Sequence, residues 1–136
     1  MIIFNQYILI MKRIIETTNA PQAVGPYSQA VEVNGTLYVS GQVPLIPGTM
    51  KLVEGGIKEQ TQQVMENIGA ILKAAGYDYS DVVKSTCLLS DIENFKPMNE
   101  VYAQFYTEKK PARAAYAVKD LPLGALVEIE TIAVKS

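Results

Sequence analysis

Histidine is absent from all 136 residues. A histidine-based catalytic triad, a His-ligated zinc site and an imidazole general base are thereby excluded. Cysteine occurs once, at Cys87, so the chain forms no intramolecular disulfide and no cysteine-rich metal cluster. That usage fits a reducing, cytoplasmic setting. Neither sign of charge is in excess. Twelve basic against fourteen acidic residues leave a net charge of -2, which argues against a broad electrostatic grip on nucleic acid. Long apolar runs are also missing. The opening stretch MIIFNQYILI is apolar, but a bilayer-spanning helix needs roughly 20 apolar residues, so no membrane association is expected. The stretch also lacks the basic start and small-residue cleavage site of a signal peptide. Met11 and the following KRIIETTNAP read like an ordinary cytosolic beginning. We therefore expect Met11 to be the natural start, residues 1–11 to be an N-terminal extension, and 12–136 to form a single domain. No repeat, low-complexity tract or Pro/Gly-rich linker divides that domain.

What is present suits a globular chain with a real core: 49% of residues are hydrophobic and 19% charged. AVEVNGTLYVSG reads as a hairpin, with Val31 and Val33 on one side and Leu37 and Val39 on the other. Asn34-Gly35 between them readily takes the positive φ of a type I′ turn. IKEQTQQVMENIGAILKAAG reads as a helix, because Ile57, Val64, Ile68, Ile71, Leu72 and Ala75 fall on one stripe and Gly76 supplies a stop. Gly69 inside that helix costs about 1 kcal/mol against alanine, which marks a place of close packing. SDVVKSTCLLS is a strand that buries Cys87 as a small hydrophobe. A second helix is expected over SDIENFKPMNEVYAQFYTE. Ser90 with Glu93 matches a capping box, Asp91 is an alternative cap, and Pro97 belongs in the first turn. Its aromatic stripe, which includes Phe95, Tyr102 and Tyr106, reads as core. ARAAYAV and ALVEIETIAV are closing strands with KDLPLG as the turn between them, and a short strand is expected near Ile14–Thr17. Segregated helices beside a mixed sheet make an α+β domain. A sheet covered on one face only, with this much apolar strand surface, points to a homo-oligomer.

Four places carry candidate chemistry. Arg113 is the single charge in the apolar run Ala112 to Val118, and a guanidinium is costly to desolvate without a partner. On a strand it shares a face with Ala115 and Ala117 only, which leaves room beside it. An ion pair with a glutamate is the alternative use of that charge. Glu128 and Glu130 share one face of the last strand with Leu126, Ile132 and Val134, so a partly buried carboxylate that activates water is one reading and a solvated or ion-paired one the other. Tyr27 follows Gly25-Pro26 in a constrained loop, where it either closes a pocket or packs. Ser40-Gly41 ends a strand and presents a hydroxyl and backbone groups to a ligand. Without histidine to activate Ser40, a serine nucleophile is disfavoured.

The motifs NAPQAVGPYSQAV, LYVSGQVP, NIGAILKAAG, DVVKSTCLLSDIENFKPMNEVY, PARAAYAV and LVEIETIAV follow one another at a characteristic spacing. Together they resemble the RidA/YjgF family of enamine/imine deaminases, from Lys12 to the C-terminus. The resemblance implies a chorismate-mutase-like fold and a homotrimer with ligand clefts between subunits. It also implies hydrolysis of 2-aminoacrylate and related 2-imino acids to 2-keto acids and ammonia, which protects pyridoxal-phosphate enzymes. By the same resemblance Arg113 grips the substrate carboxylate and Glu128 positions or activates the water. Tyr27 and Ser40 line the cleft, and Asn99 is a further pocket contact. No metal and no cofactor are implied. Many bacterial members carry a cysteine two residues after the arginine, where this sequence has Ala115. A regulatory trimer that binds small 2-keto acids without turnover would use the same arginine. An endoribonuclease reading, attached to some relatives, is disfavoured by the acidic balance and the missing histidine.

Overall fold

The computed structural model describes residues 11–135 and, before them, the backbone of 2–4 and 7–9. Those two early segments, β1 (Ile2–Phe4) and β2 (Tyr7–Leu9), pair antiparallel with each other. The expected start at Met11 concerns residues that otherwise lie outside the described ones. From there the chain runs through β3 (Lys12–Ile15), β4 (Ala30–Val33), β5 (Thr36–Gln42), β6 (Leu45–Ile46) and β7 (Lys51–Leu52). It continues with α1 (Ile57–Ala75), β8 (Val82–Leu89), α2 (Phe95–Tyr102), β9 (Ala112–Ala117) and β10 (Val127–Val134). The α+β reading holds, with a mixed sheet and both helices on one face.

The main sheet has the order β3-β4-β5-β10-β8-β9. Every neighbouring pair is antiparallel except β8 and β9, which run parallel because α2 carries the chain from one to the other. The two closing strands are therefore not neighbours. KDLPLG takes the chain from the edge strand β9 past β8 to β10, which fills the slot between β5 and β8. The last strand in sequence is thus central in space. Its burial follows, with Val127, Ile129 and Ala133 fully enclosed and Thr131 nearly so.

The hairpin expected at Asn34-Gly35 forms as read: both residues have positive φ, at 50° and 78°, as a type I′ turn requires. The expected stripe of α1 packs on Leu37, Val39, Val82, Cys87, Leu89 and Ile129. Gly76 ends the helix in the left-handed conformation at φ 85°. Two cations complete that end, since Arg13 donates to the Ala75 carbonyl at 2.8 Å and Lys135 to that of Gly76 at 2.6 Å. Gly69 is where the Tyr79 hydroxyl crosses the helix to reach the Met65 carbonyl at 2.6 Å, and a Cβ there would overlap that hydroxyl.

Three boundaries differ from the sequence reading. The short strand expected near Ile14–Thr17 spans Lys12–Ile15, because Thr17 turns away to bond the Gln29 side chain. The second helix is shorter than expected: single 3-10 turns flank the α-helical Phe95–Tyr102 on both sides. Asp91, not Ser90, caps its approach by accepting from the Glu93 amide at 2.9 Å. The short strands β6 and β7 were not anticipated, because two residues each are too few for a periodic signal.

The face of the sheet away from the helices is uncovered in the single chain and carries much apolar surface beside Lys84, Thr86, Glu128 and Glu130. Ile14, Tyr38, Tyr116 and Val134 are exposed on it, and Val31, Val33, Leu88 and Ile132 are half-buried.

Candidate active site

Arg113 and Glu128 belong to different faces of the sheet. Residues directly opposite in adjacent strands share a face, and successive residues alternate. Arg113 pairs with Ser85, which pairs with Thr131; Ser85 and Thr131 are buried beneath the helices. Glu128 pairs with Leu88, which pairs with Tyr116, and that row lies on the uncovered face. The glutamate on the last strand is therefore not an ion-pair partner for Arg113 within one chain. Among the described residues the ion pairs are Arg13–Glu32 and Lys58–Glu100.

Arg113 is held by α2 instead. Its Nη1 donates to Asn99 Oδ1 at 2.7 Å. Its guanidinium carbon lies 4.9 Å from the centre of the Tyr102 ring and 5.5 Å from that of Phe95. Phe95, Asn99 and Tyr102 stand at i, i+4 and i+7, one stripe of a single short helix. Beside them a cleft of about 340 Å³ opens between α2 and the Lys110–Pro111 turn. The expectation of space next to Arg113 holds along its own strand, where Ala115 and Ala117 follow. The reading of the α2 stripe as core holds too: Met98, Val101, Tyr102 and Tyr106 are buried and Phe95 packs against the core, while Phe95 and Tyr102 in addition present ring faces to the cation.

Glu128 and Ser40 form a second group. Ile129 pairs with Gln42 but Thr131 with Val39, so Ser40 and Gly41 together oppose Glu130 in a β-bulge. The Glu128 carboxylate lies against Gly41, where a Cβ would overlap it. This is the physical requirement behind the glycine of SGQ. Burial, followed by the like charge of Glu130, raises the Glu128 carboxyl above its ordinary pKa. The Ser40 hydroxyl is not free to meet a ligand as a donor, because it donates to the Ser28 carbonyl at 2.5 Å. Tyr27 is exposed on the adjoining loop and lines a cleft of about 560 Å³ with Thr17, Gln22 and Ser28. Gln29 fixes that loop, accepting from the Thr17 amide at 2.7 Å and donating to the Pro21 carbonyl at 2.8 Å.

Cys87 pairs directly with Ala115. It is buried and its thiol is pushed up to about 11, so it is inert at neutral pH. The sequence reading missed Gly41 as a packing requirement and the pairing of Arg113 with the α2 rings. An in-strand glycine was a signal for the first, and the Phe-x3-Asn-x2-Tyr spacing for the second.

Fold and site define a class: an α+β chain whose helix-backed sheet displays a caged arginine on one face and a half-buried carboxylate on the other. The comparisons with known proteins place it further. A family model described as Endoribonuclease L-PSP matches residues 17–135, and the chain belongs to that family, the RidA/YjgF family. It is 52% identical over 126 residues to the 2-iminobutanoate/2-iminopropanoate deaminase of Mus musculus, covering 93% of each chain. A solved putative endoribonuclease from Thermotoga maritima superposes with a TM-score of 0.90 at 48% identity, over 93% of this chain and 99% of that one. TdcF of E. coli, solved with bound serine, gives 0.86 at 39% identity over 91% and 99%.

Replacing Gly41 by alanine tests the bulge. The clash falls on the far end of a flexible side chain, so stability should change by about 1 kcal/mol or less in a thermal melt. Glu128 is displaced, and any water-activating rate should fall at least about tenfold.

Proposed function

We propose that the protein hydrolyses 2-aminoacrylate and related 2-imino acids to 2-keto acids and ammonia, at sites that a homotrimer assembles in clefts between subunits. The observation that carries this reading is Arg113. It is exposed, held in place by neutral groups, and has no carboxylate partner among the described residues. A planar guanidinium left with free donors suits a bidentate carboxylate. The mouse deaminase, alike over nearly its whole length, has a name that fits the same chemistry.

The mechanism follows from residue types. An imino acid enters through Tyr27 and the Ser40–Gly41 bulge and places its carboxylate on Arg113. Glu128, as carboxylate, takes a proton from water as the oxygen attacks the imine carbon. Glu128 returns that proton to the nitrogen, giving a carbinolamine, then takes the hydroxyl proton and passes it on as well, so that ammonia leaves with both protons of the water as the carbonyl forms. Such electrophiles hydrolyse readily, so positioning and one base suffice. The reaction consumes one water and needs neither metal nor cofactor. The two groups lie on opposite faces of one sheet, so the reading has Arg113 and Asn99 of one subunit meet Glu128, Ser40 and Tyr27 of the next. The uncovered apolar face is then the trimer interface. The place of action is the cytoplasm, beside the pyridoxal-phosphate dehydratases that release these imines.

The direct test follows keto-acid formation while a dehydratase generates 2-iminobutanoate. Added protein should accelerate it, and an unchanged rate removes the enzymatic reading. The shared site is tested by co-expressing Arg113→Ala and Glu128→Gln chains with different tags and purifying the mixed oligomers. A ring of three heterologous contacts then holds one intact site, so about a third of native activity returns. Mixed oligomers as inactive as the parents would place each site within one chain.

A further inference from the structure

The aromatic rings of α2 have no part in the chemistry above, yet they are the largest groups touching Arg113. We propose that Tyr102 is a positioning residue: its ring face, together with the Asn99 amide, sets the plane of the Arg113 guanidinium and thereby the affinity for the substrate carboxylate. The inference rests on the reading of Arg113 as the carboxylate clamp.

The geometry supports this in three ways. Arg113 sits on the edge strand β9, whose outer side has no neighbouring strand, and its strand neighbours on the same face are alanines. Sequence-local contacts therefore do not fix its four side-chain torsions. The Asn99 bond fixes one nitrogen and leaves rotation about that contact. Tyr102 at 4.9 Å and Phe95 at 5.5 Å remove this freedom by facing the cation with their electron-rich rings. Tyr102 is the firmer of the two. It is 6% exposed, and its ring packs against Tyr106 with centroids 4.8 Å apart, whereas Phe95 is only half-buried.

The Tyr102 hydroxyl gives a way to separate ring from polar group. It is buried without a hydrogen-bond partner, as is that of Tyr106. Burial raises its pKa, and the nearby Ser85 hydroxyl, which lies beyond good hydrogen-bond geometry, opposes that rise only in part. A buried unpaired hydroxyl is a cost to the fold, so the tyrosine is not there for its oxygen at this contact. The ring is the part that reaches Arg113.

Tyr102→Phe and Tyr102→Leu, made in the full chain, decide the matter. The probe is 2-oxobutanoate, titrated by calorimetry, alongside kcat and KM for 2-iminobutanoate and a thermal melt. The Phe variant should bind as the native protein does and melt no lower. The Leu variant should bind about tenfold more weakly, the loss expected for a partly desolvated cation–π contact. Its KM should rise more than its kcat falls, because the clamp acts before and during the reaction. A purely structural defect instead lowers kcat through the active fraction and leaves KM alone. A Leu variant with native affinity, or a Phe variant as weak as Leu, overturns the proposal. The binding arm stands even if the native protein shows no turnover, so failure of the enzymatic reading and failure of this one are separable.

Discussion

Arg113→Ala should lower kcat/KM for 2-iminobutanoate by about thirtyfold to about four-thousandfold. Truncating one partner of a desolvated, hydrogen-bonded charge pair costs about 2–5 kcal/mol, and each 1.4 kcal/mol is about tenfold. The fold should be unaffected. Arg113 makes no ion pair among the described residues, and its removal frees the Asn99 oxygen, which is half-buried and can take water in its place, and uncovers the ring faces of Phe95 and Tyr102. Arg113→Lys separates charge from shape. Lysine keeps the charge and part of the ring contact but has no planar fork, so an intermediate loss of about tenfold is expected. The measurement is keto-acid formation in the dehydratase-coupled assay. Equal rates for native and alanine proteins would remove the central claim about this residue.

Glu128→Gln should lower kcat by about a hundred- to ten-thousandfold, the range for loss of a general base, while the affinity for 2-oxobutanoate stays within about twofold. A protein that binds without turnover even with Glu128 intact would instead be the regulatory trimer. The pH dependence carries independent information. Burial and Glu130 raise the Glu128 carboxyl, and the base must be ionised to act. The acid limb of kcat/KM should therefore lie above the ordinary glutamate value of about 4.3. Glu130→Gln removes the like charge and should move that limb down. Stability moves the other way. A carboxyl with a raised folded-state pKa binds its proton more tightly when folded, so stability falls as pH rises from the unfolded value through the folded one. Glu128→Gln should therefore melt higher than the native protein at neutral pH and lose that advantage below both values.

Much of the fold was legible because local chemistry and global position agree. Asn34-Gly35 makes the same turn alone or in the sheet, and the apolar stripe of α1 buries the same residues wherever that helix docks. The second helix was overextended because Tyr106 lies on its stripe at helical spacing, although its backbone at φ -128° has already left the helix. Its burial comes from Tyr79 and Tyr102, not from helical register. The candidate site was legible as residue types rather than as an arrangement. GPY, SGQ, PAR and EIE name Tyr27, Ser40, Arg113 and Glu128, but strand alternation within each motif says nothing of how β9 and β10 face one another.

The sequence by itself determined the exclusion of histidine chemistry, the family, the helix-and-strand alternation and the charged residues worth testing. These depend on composition and on near neighbours along the chain. Only the tertiary structure decided that β8 separates the two closing strands. That insertion puts three residues of register and a change of face between Arg113 and Glu128. It also decided that Arg113 leans on the rings and amide of α2, fourteen residues away from it at Asn99. The physical reason is that a strand's neighbours are chosen by pairing and packing across the whole sheet, which no window along the sequence contains.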